Sequence, residues 1–389
     1  MPAIDTSPSP TVLQVSGQLP GGAPMLAVLA RRAYTVDARG VCHRADEQSP
    51  IVVEPKMHPE HPVLLQADTD ITPYKLRTDV VVHGHAYGHG RARRLEAVIR
   101  VGGREKRIAV FGARTCALDR RGGVTISEPA AIDRVELSYV NAYGGRDHGA
   151  EALYGNPLKD PALARGMEGV DLDAASPYLY PRNPVGRGYL IEATRDAVER
   201  LALPALEDPD DLLTPARIVA EDPLLWHRMP LPQSTGWVDY SWYPRVAFLG
   251  VVPIVDCFDE PPLEVERGLI PEYLADGTGK VILEESGFDA ASGASLGLQL
   301  PLLRGGEVVE LHHLHPARTQ WRFTVPAAPR LLTDGRKGAM NPTEPVVHTL
   351  IVEPDADRVT VLWRGCAAAL RRYAPQELAT MPLRVEWAD

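Results

Sequence analysis

Proline and glycine interrupt this chain too often, and too evenly, to leave room for long helices. It has 36 prolines and 33 glycines in 389 residues, about 18% of the chain against the ~12% usual in globular proteins. Proline fixes φ and removes a backbone donor, while glycine supplies the positive φ that many turns need. Spread along the whole sequence, they mark many turns and not one disordered tract. The runs between them are short and rich in β-branched residues. This pattern predicts an all-β to β-rich α+β protein, with mainly antiparallel sheets in two packed lobes and few short helices.

Individual runs sharpen that reading. Residues 25–36 read as a strand ending at a turn near Asp37 to Gly40, and residues 79–87 as a strand broken or bulged at Gly84. Residues 94–101 and 106–111 flank Gly102-Gly103, a hairpin signal. Residues 135–143 and 244–252 look strand-like, and 195–201 look helical up to Pro204. In the last third, residues 307–311, 319–325, 346–352 and 358–363 alternate apolar and polar side chains. Pro354-Asp355-Ala356-Asp357 would join the last two, 366–373 would form a short helix, and 382–387 a closing strand. The expected division is a disordered tail over 1–10, a main β-rich domain over 11–290 and a C-terminal β-rich lobe over 291–389.

A net charge of −10 argues against nucleic acid as the partner. The charge is uneven. Residues 75–122 hold twelve Lys/Arg against four Asp/Glu, and residues 151–280 hold eleven against twenty-two, so the two segments are expected to face each other. The four cysteines, Cys42, Cys116, Cys257 and Cys366, form no C-x-x-C pair and suit a reducing compartment. The first ten residues lack a basic and apolar leader, and the apolar run 246–258 is interrupted by Pro253 and Asp256. These features predict a cytoplasmic protein with no membrane partner.

Catalytic and metal constellations are weak. His83, His85 and His89 make an H-x-H-x3-H spacing, and His312, His313 and His315 a second cluster. Neither has a thiol or a convincingly spaced carboxylate to complete a metal site, although Asp79 shares a face with His83 and His85 on a regular strand. Gly277-Thr278-Gly279-Lys280 fails as a phosphate loop, because Leu274 and Val281 stand where Gly and Ser/Thr are required. The carboxylate pairs Asp210-Asp211 and Glu284-Glu285 lie in acidic segments and read as solvated surface. Trp237, Trp242, Trp321 and Trp363 read as core. No catalytic residue, metal ligand or cofactor is assigned. A metal-dependent hydrolase built on the histidines is the alternative of another class.

The most constrained stretch runs from about residue 136 to 189. It holds Tyr143-Gly144-Gly145-Arg146-Asp147 and Asn183-Pro184-Val185-Gly186-Arg187-Gly188-Tyr189. An Asn-Pro step followed by glycines around an arginine predicts a rigid loop aiming Asn183 and Arg187 in set directions. Two readings stay open: a partner-docking surface, or a fastener in which Arg187 ties the two loops together through Asp147. Lys75, between Asp70 and Asp79, is expected to pair with one or both carboxylates as a structural charge cluster.

These runs, in order with Asp70-Ile-Thr-Pro73-Tyr-Lys75 to Asp79, Lys106 to Arg114 and Trp242-Tyr-Pro244-Arg245, resemble a bacterial family of type VI secretion accessory proteins known as domain of unknown function 2169. The similarity covers residues 25–250 and 345–389, the latter through Trp363-Arg364-Gly365. Val140 stands where the family usually has an acidic residue, and residues 249–300 depart from its pattern. The resemblance implies a non-enzymatic adaptor or chaperone in the cytoplasm of a Gram-negative bacterium. Its partners would be a secretion effector and spike-tip proteins encoded nearby. A structural part of the secretion machine is the further alternative.

Overall fold

The computed structural model describes residues 11–160, 176–220, 223–248, 262–267, 269, 290–334 and 338–388. The expected tail (1–10), the motifs at 271–281, Cys257, the Glu284-Glu285 pair and most of the apolar run 246–258 lie outside these residues.

Two sheets carry the core. The larger has seven strands. Its order is Val12–Gln18, Pro24–Val36, Arg358–Ala368, Glu344–Glu353, Thr78–Val82 and Gln299–Leu300, with Cys42–Arg44 paired to the end of Pro24–Val36. Neighbours are antiparallel except Glu344–Glu353 with Thr78–Val82, which are parallel. The second sheet orders Leu206–Glu207, Arg104–Phe111, Arg94–Val101, Val308–His315 and Arg318–Thr324, antiparallel throughout. The protein is thus mostly strand in mainly antiparallel sheets with short helices, as its turn density predicts. Strands from either side of residue 290 are interleaved in the larger sheet and lie side by side in the second, where Arg94–Val101 pairs with Val308–His315. Arg330–Thr333, Leu383–Glu386 and Asn341–Pro342 form a small sheet from the C-terminal segment alone.

The sheets share one apolar cluster. Val28, Val80, Leu350, Val361 and Trp363 come from the larger sheet, and Ile99, Val110, Leu311, Trp321 and Phe323 from the smaller. Burying each large apolar side chain stabilises the fold by about 1.5–3 kcal/mol. Trp237, Trp242, Trp321 and Trp363 are all buried. Strands covered on both faces lose the alternating pattern, which is why residues 25–30 and 80–82 of these strands are continuous apolar runs in the sequence.

Three local expectations differ from the structure. The run 366–373 is not a helix: Ala367 and Ala368 pair with Leu26 and Met25, so the strand outlasts the local alanine preference. A helical turn forms only at Pro375–Leu378. Within 244–252, Arg245–Phe248 is helical, because Arg245 is buried with its guanidinium donating to Val238 O, Ala290 O and Asp68. Within 135–143, pairing stops after Arg134–Glu136, and Ser138 caps a 3-10 turn over Tyr139–Asn141. The basic and acidic segments do meet: Leu206–Glu207 pairs with Arg104–Phe111, Arg107 bonds Asp210 at 2.5 Å, and Arg114 bonds Glu207.

Candidate functional site

The site is built where Tyr143–Gly144 and Arg187–Gly188 pair as short parallel strands. Arg187 N donates to Ala142 O at 2.9 Å and Tyr189 N to Gly144 O at 3.0 Å. The backbones approach too closely for a side chain. A Cβ on Gly186 would lie 2.3 Å from Asn183 Nδ2 and 2.9 Å from Gly144 Cα. Gly145 has φ 103°, a conformation open to glycine at little cost.

Asn183 is fully buried. Its Nδ2 donates to Tyr139 O at 2.8 Å and Tyr143 O at 3.0 Å, and its own carbonyl accepts from Gly145 N at 2.8 Å. The Asn-Pro step therefore aims the amide inward, where Asn183 acts as a structural fastener on two carbonyls. Pro184 is half-buried beside it. Asp147 is buried too. Its Oδ1 caps the His148–Tyr154 helix through Ala150 N at 2.9 Å, and its Oδ2 accepts from Ile191 N at 2.8 Å and Glu192 N at 3.1 Å. Asp147 joins the two loops through backbone amides, so the expected Asp147–Arg187 tie does not form. Arg187 is exposed, and its side chain has no partner among the described residues.

The buried arginine of the run is Arg182, which the sequence reading did not single out. Nε and Nη2 both bond Glu264 at 2.5 Å, and the remaining donors reach Tyr180 Oη, Trp226 O, Met229 O and His227 O at 2.9–3.2 Å. Burial opposes the charge of this guanidinium, but Glu264 outweighs burial and holds its pKa above the ordinary value. Trp226 lies under it at 5.0 Å. Tyr143, Tyr180 and Tyr189 pack around the same hub, with ring centroids 5.1–5.2 Å apart along the chain of contacts. A fully buried arginine needs a carboxylate partner, but nothing in sequence points from Arg182 to Glu264, 82 positions away.

Above this hub lies a groove of about 620 Å3. Residues 144–149 and 186–190 form one wall, and Thr194, Asp196, Ala197, Arg200 and Leu201 line the other. Arg187 stands in it. The His148–Tyr154 helix, which starts at this wall, carries Leu153 and Tyr154 with 63% and 60% of their surface exposed. A guanidinium with no partner among the described residues, in a groove lined by Ala197 and Leu201, offers a carboxylate contact and apolar anchoring.

The second predicted cluster resolves into two pairs. Lys75 Nζ bonds Asp79 at 2.6 Å, both fully buried, and Asp79 also accepts from Gly293 N and Ala294 N at 3.0 and 3.2 Å. Asp70 belongs instead to Arg31 at 2.5 Å and to Val52 N at 2.9 Å. Burial raises the Asp70 pKa against the pull of Arg31. Arg364 donates to Lys75 O at 2.9 Å, which ties this loop to the C-terminal strand. His348, the bulged residue between Val347 and Thr349, reaches Thr72 O at 3.0 Å.

The histidines bond separate partners, although His313 lies near both His312 and His89, which add to burial in lowering its pKa. His85 and Tyr87 bond Asp355 at 2.6 and 3.0 Å, His315 bonds Asp357 at 3.0 Å, and His312 meets Arg100 at 3.3 Å. His83 is pushed down to about 4 by burial. Among the described residues no group of three or more His, Cys, Asp or Glu is arranged to hold a metal ion. Asp79 is spent on Lys75. No helix among them is long and apolar enough to cross a membrane.

A family model described as an uncharacterized protein conserved in bacteria, DUF2169, matches residues 21–364. The chain belongs to the DUF2169 family. No curated protein and no solved structure matches it. In this DUF2169 protein the match takes in the second sheet, both glycine loops and the larger sheet apart from Val12–Gln18 and the end of Arg358–Ala368, and it reaches the Arg364 that fastens the Lys75 loop.

Proposed function

We propose that this protein is a non-enzymatic adaptor or chaperone of type VI secretion. It binds an effector in the bacterial cytoplasm and helps load it onto the spike tip. The assignment to secretion rests on the resemblance carried by the signature runs. The observation that carries the binding role is Arg187. The other polar side chains predicted for the two loops face inward: Asn183 donates through Nδ2 to two carbonyls, and Asp147 accepts from backbone amides. Arg187 alone among those predicted residues keeps a planar donor fork with no partner among the described residues, in the groove lined by Ala197 and Leu201. The rigid loops lower the ordering cost of binding, and the fork suits a carboxylate of the effector or of its linker.

The test is co-purification with the effector and spike-tip proteins encoded beside it, for the wild type and Arg187→Ala. The variant should melt like the parent and retain partner about tenfold more weakly, ~1.4 kcal/mol. Undiminished retention would remove Arg187 from the interface. Failure of the wild type to retain any such partner would refute the adaptor role itself.

A further inference from the structure

Lys106 is one of six lysines in a chain that otherwise relies on arginine. It lies on the Arg104–Phe111 strand with 7% of its surface exposed. Its Nζ donates to Leu296 O at 2.7 Å. Among the described residues no carboxylate lies within ion-pair distance. The nearby acids are already engaged: Asp208 by Arg267, Asp210 by Arg107, and Asp211 by Arg217 and Arg267. A buried ammonium facing one neutral carbonyl is poorly compensated, and the neutral amine is favoured. Burial pushes Lys106 down to about 7, against the opposing pull of Asp208. The residue lines a cavity of about 550 Å3 with Leu231, Pro232, Leu269 and Gly297 on its walls, and Glu105, Arg107, Asp208, Asp210 and Arg267 as its charged groups.

We propose that Lys106 is an acylation site that takes an acyl group from a thioester donor into this cavity. The Nζ lone pair attacks the thioester carbonyl carbon, the C–N bond forms and the C–S bond breaks. The thiolate leaves with the bonding pair and takes the proton released by the nitrogen, giving an amide and a free thiol. Activated thioesters need no metal or further catalytic group to react with a neutral amine. The product keeps one N–H, enough to preserve the bond to Leu296 O, so modification leaves the local fold intact.

The experiment incubates the native full chain with acetyl-coenzyme A across pH 6.5–10 and follows each lysine by peptide mass mapping. Lys56, which is exposed, is the internal reference. At pH 7 an ordinary lysine is neutral in about one molecule in 2,500, whereas a lysine near 7 is about half neutral. Weaker basicity offsets part of that gain. Lys106 should therefore acylate at least about tenfold faster than Lys56 at pH 7, level off above about pH 8 while Lys56 continues to rise, and lose its lead in urea. Acylation no faster than at Lys56, parallel pH profiles, or a lead that persists in urea would each overturn the proposal.

Discussion

Replacing Lys75 with methionine tests how far the fold depends on one buried pair. The methionine thioether occupies the volume of the lysine stem, so little cavity cost enters and the change isolates the charge. Asp79 is fully buried and accepts three hydrogen bonds, from Lys75 at 2.6 Å and from Gly293 N and Ala294 N at 3.0 and 3.2 Å. Removing one partner of a buried pair costs about 3–5 kcal/mol. Two backbone donors remain on the stranded carboxylate, so Lys75→Met should fall at the lower end, about 3 kcal/mol. Against a total stability of ~5–15 kcal/mol that is a large loss.

Equilibrium urea denaturation of the parent, Lys75→Met, Asp79→Asn and the double variant closes the cycle. Asp79→Asn strands the lysine and should cost a similar amount. The double variant removes both charges and should cost clearly less than the sum, with a coupling of at least ~2 kcal/mol. The deficit of Lys75→Met should also change little with salt, because buried charges are weakly screened. A cost within ~1 kcal/mol would mean that the pair behaves as an exposed one. Additive costs would mean that the two charges do not depend on each other. Either result refutes the assignment of this loop as an electrostatic fastener.

Asn183→Ala should destabilise by about 3 kcal/mol in the same assay, since Tyr139 O and Tyr143 O lose their buried donor. Gly186→Ala should cost about 2–3 kcal/mol, because its Cβ would sit 2.7 Å from Ala142 O as well as against Asn183. Acid should destabilise the protein between about pH 6.5 and 4. His83, pushed down to about 4 by burial, stays neutral in the folded state while the unfolded chain takes up the proton. Its contribution is present above the unfolded value near 6.5 and is lost as the pH falls toward 4, on the order of 3 kcal/mol. His348, lowered by burial and by Lys75 and Arg364, acts in the same direction. A flat stability profile from pH 7 to 4.5 in the parent, or an unchanged slope in His83→Gln, would contradict this.

Much of the fold was legible because its signals are local. The Gly102-Gly103 hairpin, the break after Val82 and the turn at Pro354–Ala356 each follow from the residues at that turn. What was not legible is the pairing of distant strands. Arg358–Ala368 lies between Pro24–Val36 and Glu344–Glu353, so a strand more than 300 residues along the chain sits beside one of the first. No local pattern encodes that neighbour. The same pairing overrides alanine preference at Ala367 and Ala368 and keeps them in the strand.

The site shows the same division at the level of single side chains. Glycine spacing located the loops, because close backbone approach leaves no alternative to glycine at positions 144 and 186. Spacing does not state which polar group faces in. Asn183 and Arg187 stand four residues apart in one rigid loop, yet Asn183 is buried on two carbonyls and Arg187 stands in the groove with no partner among the described residues. The difference lies in what surrounds each position. Asn183 sits where Tyr139 O and Tyr143 O both face its amide, and Arg182 next to it is called inward by Glu264. With its neighbours bearing the structural load, Arg187 can be exchanged without cost to the core. A side chain that the fold does not need, held rigidly at one point of a groove, is what recognition of a partner requires.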